Sequence, residues 1–211
     1  MKTVLVTGFA PFGGERINPS WLLAQALAAD QISGLKLYAA ELPTAFGASV
    51  TALRTHLRKL QPDAVLCLGQ AGGRNAISFE RVAINCDDAP IADNAGAQPN
   101  NQRIAPRGPV AYWSTLPIHA MAAACSHAGA NAQLSNSAGT FVCNHVFYQL
   151  MRTVARKPEV LGGFVHVPYL LEQSAATGMA LADMKRGMLA ALQVLFDAPD
   201  RAQTGSSGRI E

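Results

Sequence analysis

This sequence predicts an α/β fold in which a mostly parallel sheet carries helices on both faces, and three observations support it. The first seventy residues run strand, helix, strand, helix, strand, an alternation that joins parallel strands through crossover helices. Two of those strands, "TVLVTGF" and "PDAVLCLG", are apolar almost without a break and read as buried. At 211 residues the chain has the length of one sizeable α/β domain, and 49% hydrophobic residues are enough to fill its core.

The first strand spans residues 3–9, after which Asn18-Pro19-Ser20 supplies a cap and a helix-favoured first turn for "SWLLAQALAA". "LKLYAAELP" is the second strand. In "ASVTALRTHLRKL" the residues Val50, Leu53, Leu57 and Leu60 recur at helical spacing, and the third strand, 62–69, follows. "AISFERVAIN" alternates as one further strand. Residues 86–109 are rich in Asp, Asn, Pro and Gly with no usable period; regular structure resumes directly after them, so they read as a functional loop or arm. "LPIHAMAAACSHAG" is a helix that ends at a glycine, "VFYQLMRTVA" another helix, "GGFVHVP" a buried strand, and "ALADMKRGMLAALQVLF" the closing helix. The expected organisation is a single domain over 1–199 with a disordered tail at 200–211.

Composition excludes several function classes. Seventeen basic residues face 14 acidic ones, and no Lys/Arg block exceeds "RTHLRK", so nucleic acid is not an expected partner. The apolar run near the amino terminus is broken by Gly8 and Pro11, too short for a signal segment, and no stretch has the roughly 18 apolar residues a membrane span needs. A cytoplasmic protein without membrane contact is expected. Cys67, Cys86, Cys125 and Cys143 lack C-x-x-C spacing, which removes zinc-ribbon and thioredoxin readings and leaves four thiols, at least three of them small buried groups. A charge content of only 15% hints at a subunit interface.

Among candidate sites, "GFAPFGG" follows the first strand but lacks G-x-G-x-x-G spacing, and no Lys follows Gly14, so a nucleotide fingerprint is not present. Phe9 and Phe12 lie on that loop at the carboxyl end of a strand; they either wall a small apolar pocket or pack into the core. Cys143 follows the small-residue run "SNSAGT" at the start of a helix, where free N–H groups and the helix dipole are expected to lower a thiol pKa and to meet a developing oxyanion. Of five histidines, His166 closes a buried strand where an α/β site opens and is the best base. His145, two residues from Cys143, points to a different helix face. Glu80 is an acid inside a strand, open to holding the His166 imidazole, to pairing with Arg74, or to a solvated strand face.

Taken together, "VTGFAPFGGERINPS", "LCLGQAGGR", "FERVAIN" with "DN" at 93 and 94, "YWSTLP", "SAGTFVCNHVFY" and "GFVHVP" resemble the pyroglutamyl peptidase I family, and the likeness runs from about residue 4 to about residue 170. The resemblance implies a three-layer α/β/α sandwich with a twisted, mostly parallel central sheet. It also implies a cysteine peptidase that removes N-terminal pyroglutamyl residues from peptides through a Cys143-His166-Glu80 triad. No metal or cofactor is implied, and a homotetramer is. Phe9 and Phe12 match the family's aromatic wall, Thr44, Ile91, Phe141 and Val142 match pocket positions, and Gln70 is a polar contact near the nucleophile. The segment "DDAPIADN" departs from the family: Pro90 stands where many members carry Arg, and Ala92 replaces a usual proline. Two other readings remain: a non-catalytic small-ligand module using the Phe9–Phe12 loop, and a member of the family that has lost activity.

Overall fold

The computed structural model describes residues 1–197; the expected tail at 200–211 lies outside the described residues. Eight strands and five helices occur among them. In chain order these are β1 (Lys2–Phe9), α1 (Pro19–Ala28), β2 (Leu35–Leu42), α2 (Phe46–Leu60), β3 (Ala64–Gln70), β4 (Ile77–Glu80), β5 (Val82–Ile84), β6 (Ala111–Trp113), α3 (Ile118–His127), β7 (Ala132–Ser135), α4 (Val142–Val154), β8 (Leu161–Val167) and α5 (Leu181–Gln193).

Six strands form one sheet in the order β2-β1-β3-β8-β4-β7. The β2-β1, β1-β3, β3-β8 and β4-β7 pairs are parallel and the β8-β4 pair is antiparallel. Alternating residues of β1, β3 and β8 point to opposite faces and feed two apolar layers. One layer joins Val4, Val6, Leu66, Leu68, Val165 and Val167 to α1, α3 and α5. The other joins Leu5, Val65, Cys67 and Phe164 to α2 and α4. The result is an α/β/α sandwich, in agreement with the fold class the sequence implies.

Close approach of β1 to α1 depends on Gly8, where a Cβ would lie 2.4 Å from Trp21 Cα. The start of α1 is fixed by Asn18, whose Oδ1 accepts the Ser20 N–H at 3.1 Å and the Ser20 hydroxyl at 2.7 Å; Ser20 Oγ in turn accepts the Phe9 N–H at 3.0 Å. The loop after β1 is thereby clamped to the helix that follows it.

The "AISFERVAIN" segment is not one strand. β4 belongs to the main sheet, while β5 pairs with β6 in a separate two-stranded sheet. Arg81 is the corner: its N–H donates to Ser135 O on the β7 side and its carbonyl accepts from the Ser114 N–H on the β6 side, both at 2.8 Å. The alternation runs through this corner unbroken, so periodicity could not reveal it. β6 and β7 are too short to have been read as strands. Residues 86–109 contain a folded arm, with Asp87 and Gln102 exchanging both backbone hydrogen bonds at 2.7 and 2.8 Å. Among the described residues no helix is long and apolar enough to cross a membrane.

Candidate active site

Small residues form the turn into α4 for a geometric reason. Ser135 Oγ accepts the Ser137 N–H at 3.3 Å, Ser137 Oγ accepts the Gly139 N–H at 3.2 Å, and Gly139 sits at φ +74°. Phe141 is extended and its own side chain does not cap α4, so the first-turn N–H groups have no local side-chain acceptor. Cys143, the second residue of the helix, projects its sulfur onto the sheet: a Cβ on Gly69 would lie 2.8 Å from Cys143 Sγ and 2.7 Å from the Phe164 ring. Only glycine at 69 leaves the thiol its place. Behind it, the buried Asn144 accepts the Ile84 N–H at 3.0 Å and donates to the Ile84 and Cys86 carbonyls at 2.9 and 3.0 Å. His145 Nδ1 lies 2.7 Å from Asp87 Oδ2, and its ring stands edge-on to Phe46. Asn144 and His145 both fasten the arm to the helix that carries Cys143.

His166 arrives on β8. Gly69 is its partner in the β3-β8 register, and paired residues on adjacent strands project to the same face, so imidazole and thiol share one side of the sheet. Phe164 shares it too, with ring centroids 4.9 Å apart from His166. β4 runs against β8 with Ser78 opposite His166, which puts Glu80, two residues on, on the same face. Glu80 is fully buried and its Oε1 lies 2.7 Å from His166 Nδ1. Arg74 Nη1 donates to that same oxygen at 2.7 Å. Both partners open to Glu80 on the sequence are therefore present at once, and a solvated strand face is not what surrounds it.

The expected lowering of the Cys143 pKa is reversed. Burial pushes the thiol from its ordinary 9.0 up to about 12; the charges of Glu80 and Cys67 add to the rise, and Arg74 opposes it. That rise disfavours the thiolate by about 4 kcal/mol at ~1.36 kcal/mol per pKa unit. A helix amino terminus returns only about 0.3–2 kcal/mol, which is why burial wins. Burial pushes Cys67 and Cys125 up to about 12 as well, as expected of enclosed structural thiols.

The candidate pocket residues separate into two groups. Phe12 packs on Phe141 with centroids 5.9 Å apart, Phe141 meets Phe46 edge-on at 5.5 Å, and Ile91, 46% exposed on the arm, reaches the loop beside Phe12. Thr44 Oγ1 donates to Ala10 O at 2.6 Å, and Asn94 joins the arm to the same loop through Pro11 O at 2.8 Å. Val142 is buried beside Cys143, and Gln70, at the end of β3, accepts from Gln173 at 3.4 Å. Phe9 is apart from these: it is 2% exposed and packs against Phe164 in the core layer. Phe46 and Asn144 had no role on the sequence, although Asn144 adjoins Cys143, and Arg74 was considered only as a structural partner of Glu80.

A cavity of about 420 Å³ lined by Lys2, Leu57, Asp63, Lys157 and Glu159 lies at the opposite, amino-terminal end of β1 and contains none of these residues. Among the described residues no group of three or more His, Cys, Asp or Glu side chains is arranged to hold a metal ion.

Comparison with known proteins matches residues 2–197 to the pyroglutamyl peptidase family model. The pyrrolidone-carboxylate peptidase of Streptomyces coelicolor is 52% identical over 94% of this chain and 94% of its own length. That of Gloeobacter violaceus is 50% identical over 91% and 96%. Among solved structures, pyroglutamyl peptidase I from Bacillus amyloliquefaciens superposes with a TM-score of 0.91 at 41% identity, covering 95% of this chain and 99% of that one. A mutant pyrrolidone carboxyl peptidase from Pyrococcus furiosus gives 0.88 at 37% identity, covering 92% and 98%.

Proposed function

The chain belongs to the pyroglutamyl peptidase family and is a hydrolase of that family; from this premise we propose that it is a cysteine exopeptidase cleaving the amide bond after an N-terminal pyroglutamyl residue, with Cys143 as nucleophile, His166 as base and acid, and Glu80 as the orienting carboxylate. The observation that carries the assignment is the buried 2.7 Å contact between Glu80 Oε1 and His166 Nδ1, on the sheet face that the Cys143 sulfur covers.

Ionised Glu80 accepts the Nδ1 proton, leaving the Nε2 lone pair as the base. Because the thiol rests at about 12, the thiolate does not stand ready at neutral pH, and its proton moves to His166 as sulfur attacks the exocyclic pyroglutamyl carbonyl. Negative charge collects on the carbonyl oxygen, where uncapped N–H groups at the start of α4 act as donors. Collapse breaks the C–N bond, the imidazolium protonates the leaving amine, and a thioester remains. Water, deprotonated by His166, then attacks the thioester; the sulfur leaves and takes its proton back.

The lactam is flat and neutral, with one N–H donor and one C=O acceptor. Phe12, Phe141 and Ile91 suit its apolar faces, Thr44, Gln70 and Val142 border it, and Phe9 supports the site from beneath through Phe164. An open-chain glutamyl terminus brings an ammonium and a carboxylate to these apolar walls and is rejected by the cost of desolvating them. The same reading takes the chain as a single domain over 1–199, cytoplasmic, free of metal and cofactor, and assembled as a homotetramer.

Release of fluorophore from pyroglutamyl-aminocoumarin under reducing conditions tests this function. Cleavage that persists with a chelator and falls at least about 10⁴-fold in Cys143→Ala is expected. Absence of cleavage by folded wild type, or cleavage retained in the variant, contradicts it.

A further inference from the structure

Arg74 stands where three parts of the site meet. Its Nη1 donates to Glu80 Oε1, the oxygen that also faces His166, and lies 3.4 Å from Ser135 Oγ. Its Nη2 donates to Ser137 O at 3.0 Å, inside the turn that leads to Cys143. Its own backbone N–H closes the turn after β3 on Ala71 O at 3.3 Å. Glu80 is fully buried and its other oxygen, Oε2, has no hydrogen-bond partner among the described residues. Two donors thus converge on one oxygen of a carboxylate that solvent does not reach.

We propose that Arg74 is a positioning residue for the reaction: one guanidinium fixes both the carboxylate that orients the base and the turn that presents the nucleophile. This rests on the Cys143-His166-Glu80 assignment above. The guanidinium is planar, and two of its nitrogens reach two separate elements at a fixed angle. Lys supplies the same charge from a single flexible point and cannot hold both. Removing Arg74 leaves a buried carboxylate without its cation and free to turn Oε2 toward other donors, and it removes the side-chain tie between Glu80 and the Ser137 carbonyl, so that the turn beyond Ser135 is held to β4 only through the β4-β7 backbone pairing. The distance from imidazole to sulfur is then no longer set by the frame, and catalysis falls steeply with such displacement. The Arg74 side chain is 30% exposed, so a small cation added to solution can enter the space it vacates.

A merely structural ion pair and a positioning role differ in what they change. Arg74→Ala is expected to lower kcat about 100-fold, the scale of a misplaced catalytic group, while KM and the inhibition constant of 2-pyrrolidone, which report lactam binding, stay within about threefold. Guanidinium at non-denaturing millimolar concentration should recover at least about tenfold of the lost kcat in Arg74→Ala and none in wild type. If Arg74→Ala does not fold, Arg74→Lys carries the test, with kcat expected at least about tenfold down at unchanged KM. A kcat within about twofold of wild type in either folded variant, or a loss confined to KM and melting temperature, overturns the proposal. Parallel Cys143→Ala and His166→Ala assays separate the two levels: if both remain active, the triad assignment has failed, and if both are dead while Arg74→Ala is normal, only the role of Arg74 has failed.

Discussion

Cys143 combines two features usually set against each other, a helix amino terminus and a thiol desolvated against the sheet, although the residue as a whole is only half-buried. Burial dominates, so in the proposed assignment its reactivity comes from His166 and not from a standing thiolate. In His166→Ala, therefore, the rate of Cys143 alkylation by iodoacetamide should climb with pH without a plateau below about pH 10, whereas wild type should react measurably faster near pH 7. An alkylation rate in the variant that levels off near pH 7 would mean the thiolate forms unaided. The sequence made the place of the thiol legible through the small-residue turn and the helix after it, but not its pKa, because desolvation depends on Gly69 and Phe164, which come from distant strands.

At the scale of elements, the arm within residues 86–109 is held, besides its ties to Asn144 and His145, by the buried carboxylate of Asp93. Asp93 Oδ2 accepts the Phe46 N–H at 2.8 Å, and its Oδ1 accepts those of Ala95 and Ala97, each at 2.8 Å. α2 has no local side-chain cap, so Asp93 caps it from 47 residues away. Burial works to raise its pKa, yet the Phe46, Ala97, Ala95 and Gly96 N–H groups together hold it below the usual 3.8. Asp93→Ala strands three N–H groups and should cost about 2–4 kcal/mol, read as a lower melting temperature, with a raised KM because Ile91 and Asn94 lose their seat. Unchanged KM would detach the arm from substrate binding. Most helices and strands were legible because their apolar periods are long and their boundaries are marked by Asn18-Pro19, Gly129 or buried runs. The arm was legible only as an irregular stretch, since Asp93 works through contacts that no local pattern encodes.

For the whole molecule, the decisive feature is the insertion of antiparallel β4 between β8 and β7, which carries Glu80 to the imidazole on β8. Strand order is a long-range property; the sequence marked His166 and Glu80 as candidates by burial and residue type but left Glu80 with several possible partners. Burial of thiols throughout the core also gives stability a pH dependence. Cys67, Cys125 and Cys143 stay neutral in the folded chain up to about 12 but ionise near 9.0 when unfolded, so their contribution is fully present below pH 9 and is lost as pH rises from 9 toward 12. Removing the thiol that packs α3 against α5 by Cys125→Ala should shrink the stability gap to wild type by about 2 kcal/mol between pH 8 and pH 10.5, measured by urea unfolding. A gap independent of pH would show that this thiol ionises freely in the fold. The proposed acyl transfer through Cys143 can be trapped by mixing the enzyme with a pyroglutamyl p-nitrophenyl ester, whose good leaving group lets acylation outrun hydrolysis, quenching in acid and mapping the digest by mass. One pyroglutamyl group on the peptide carrying Cys143, absent from Cys143→Ala and strongly reduced in His166→Ala, is the predicted result. An acyl group on another residue, or undiminished ester turnover by Cys143→Ala, would contradict it.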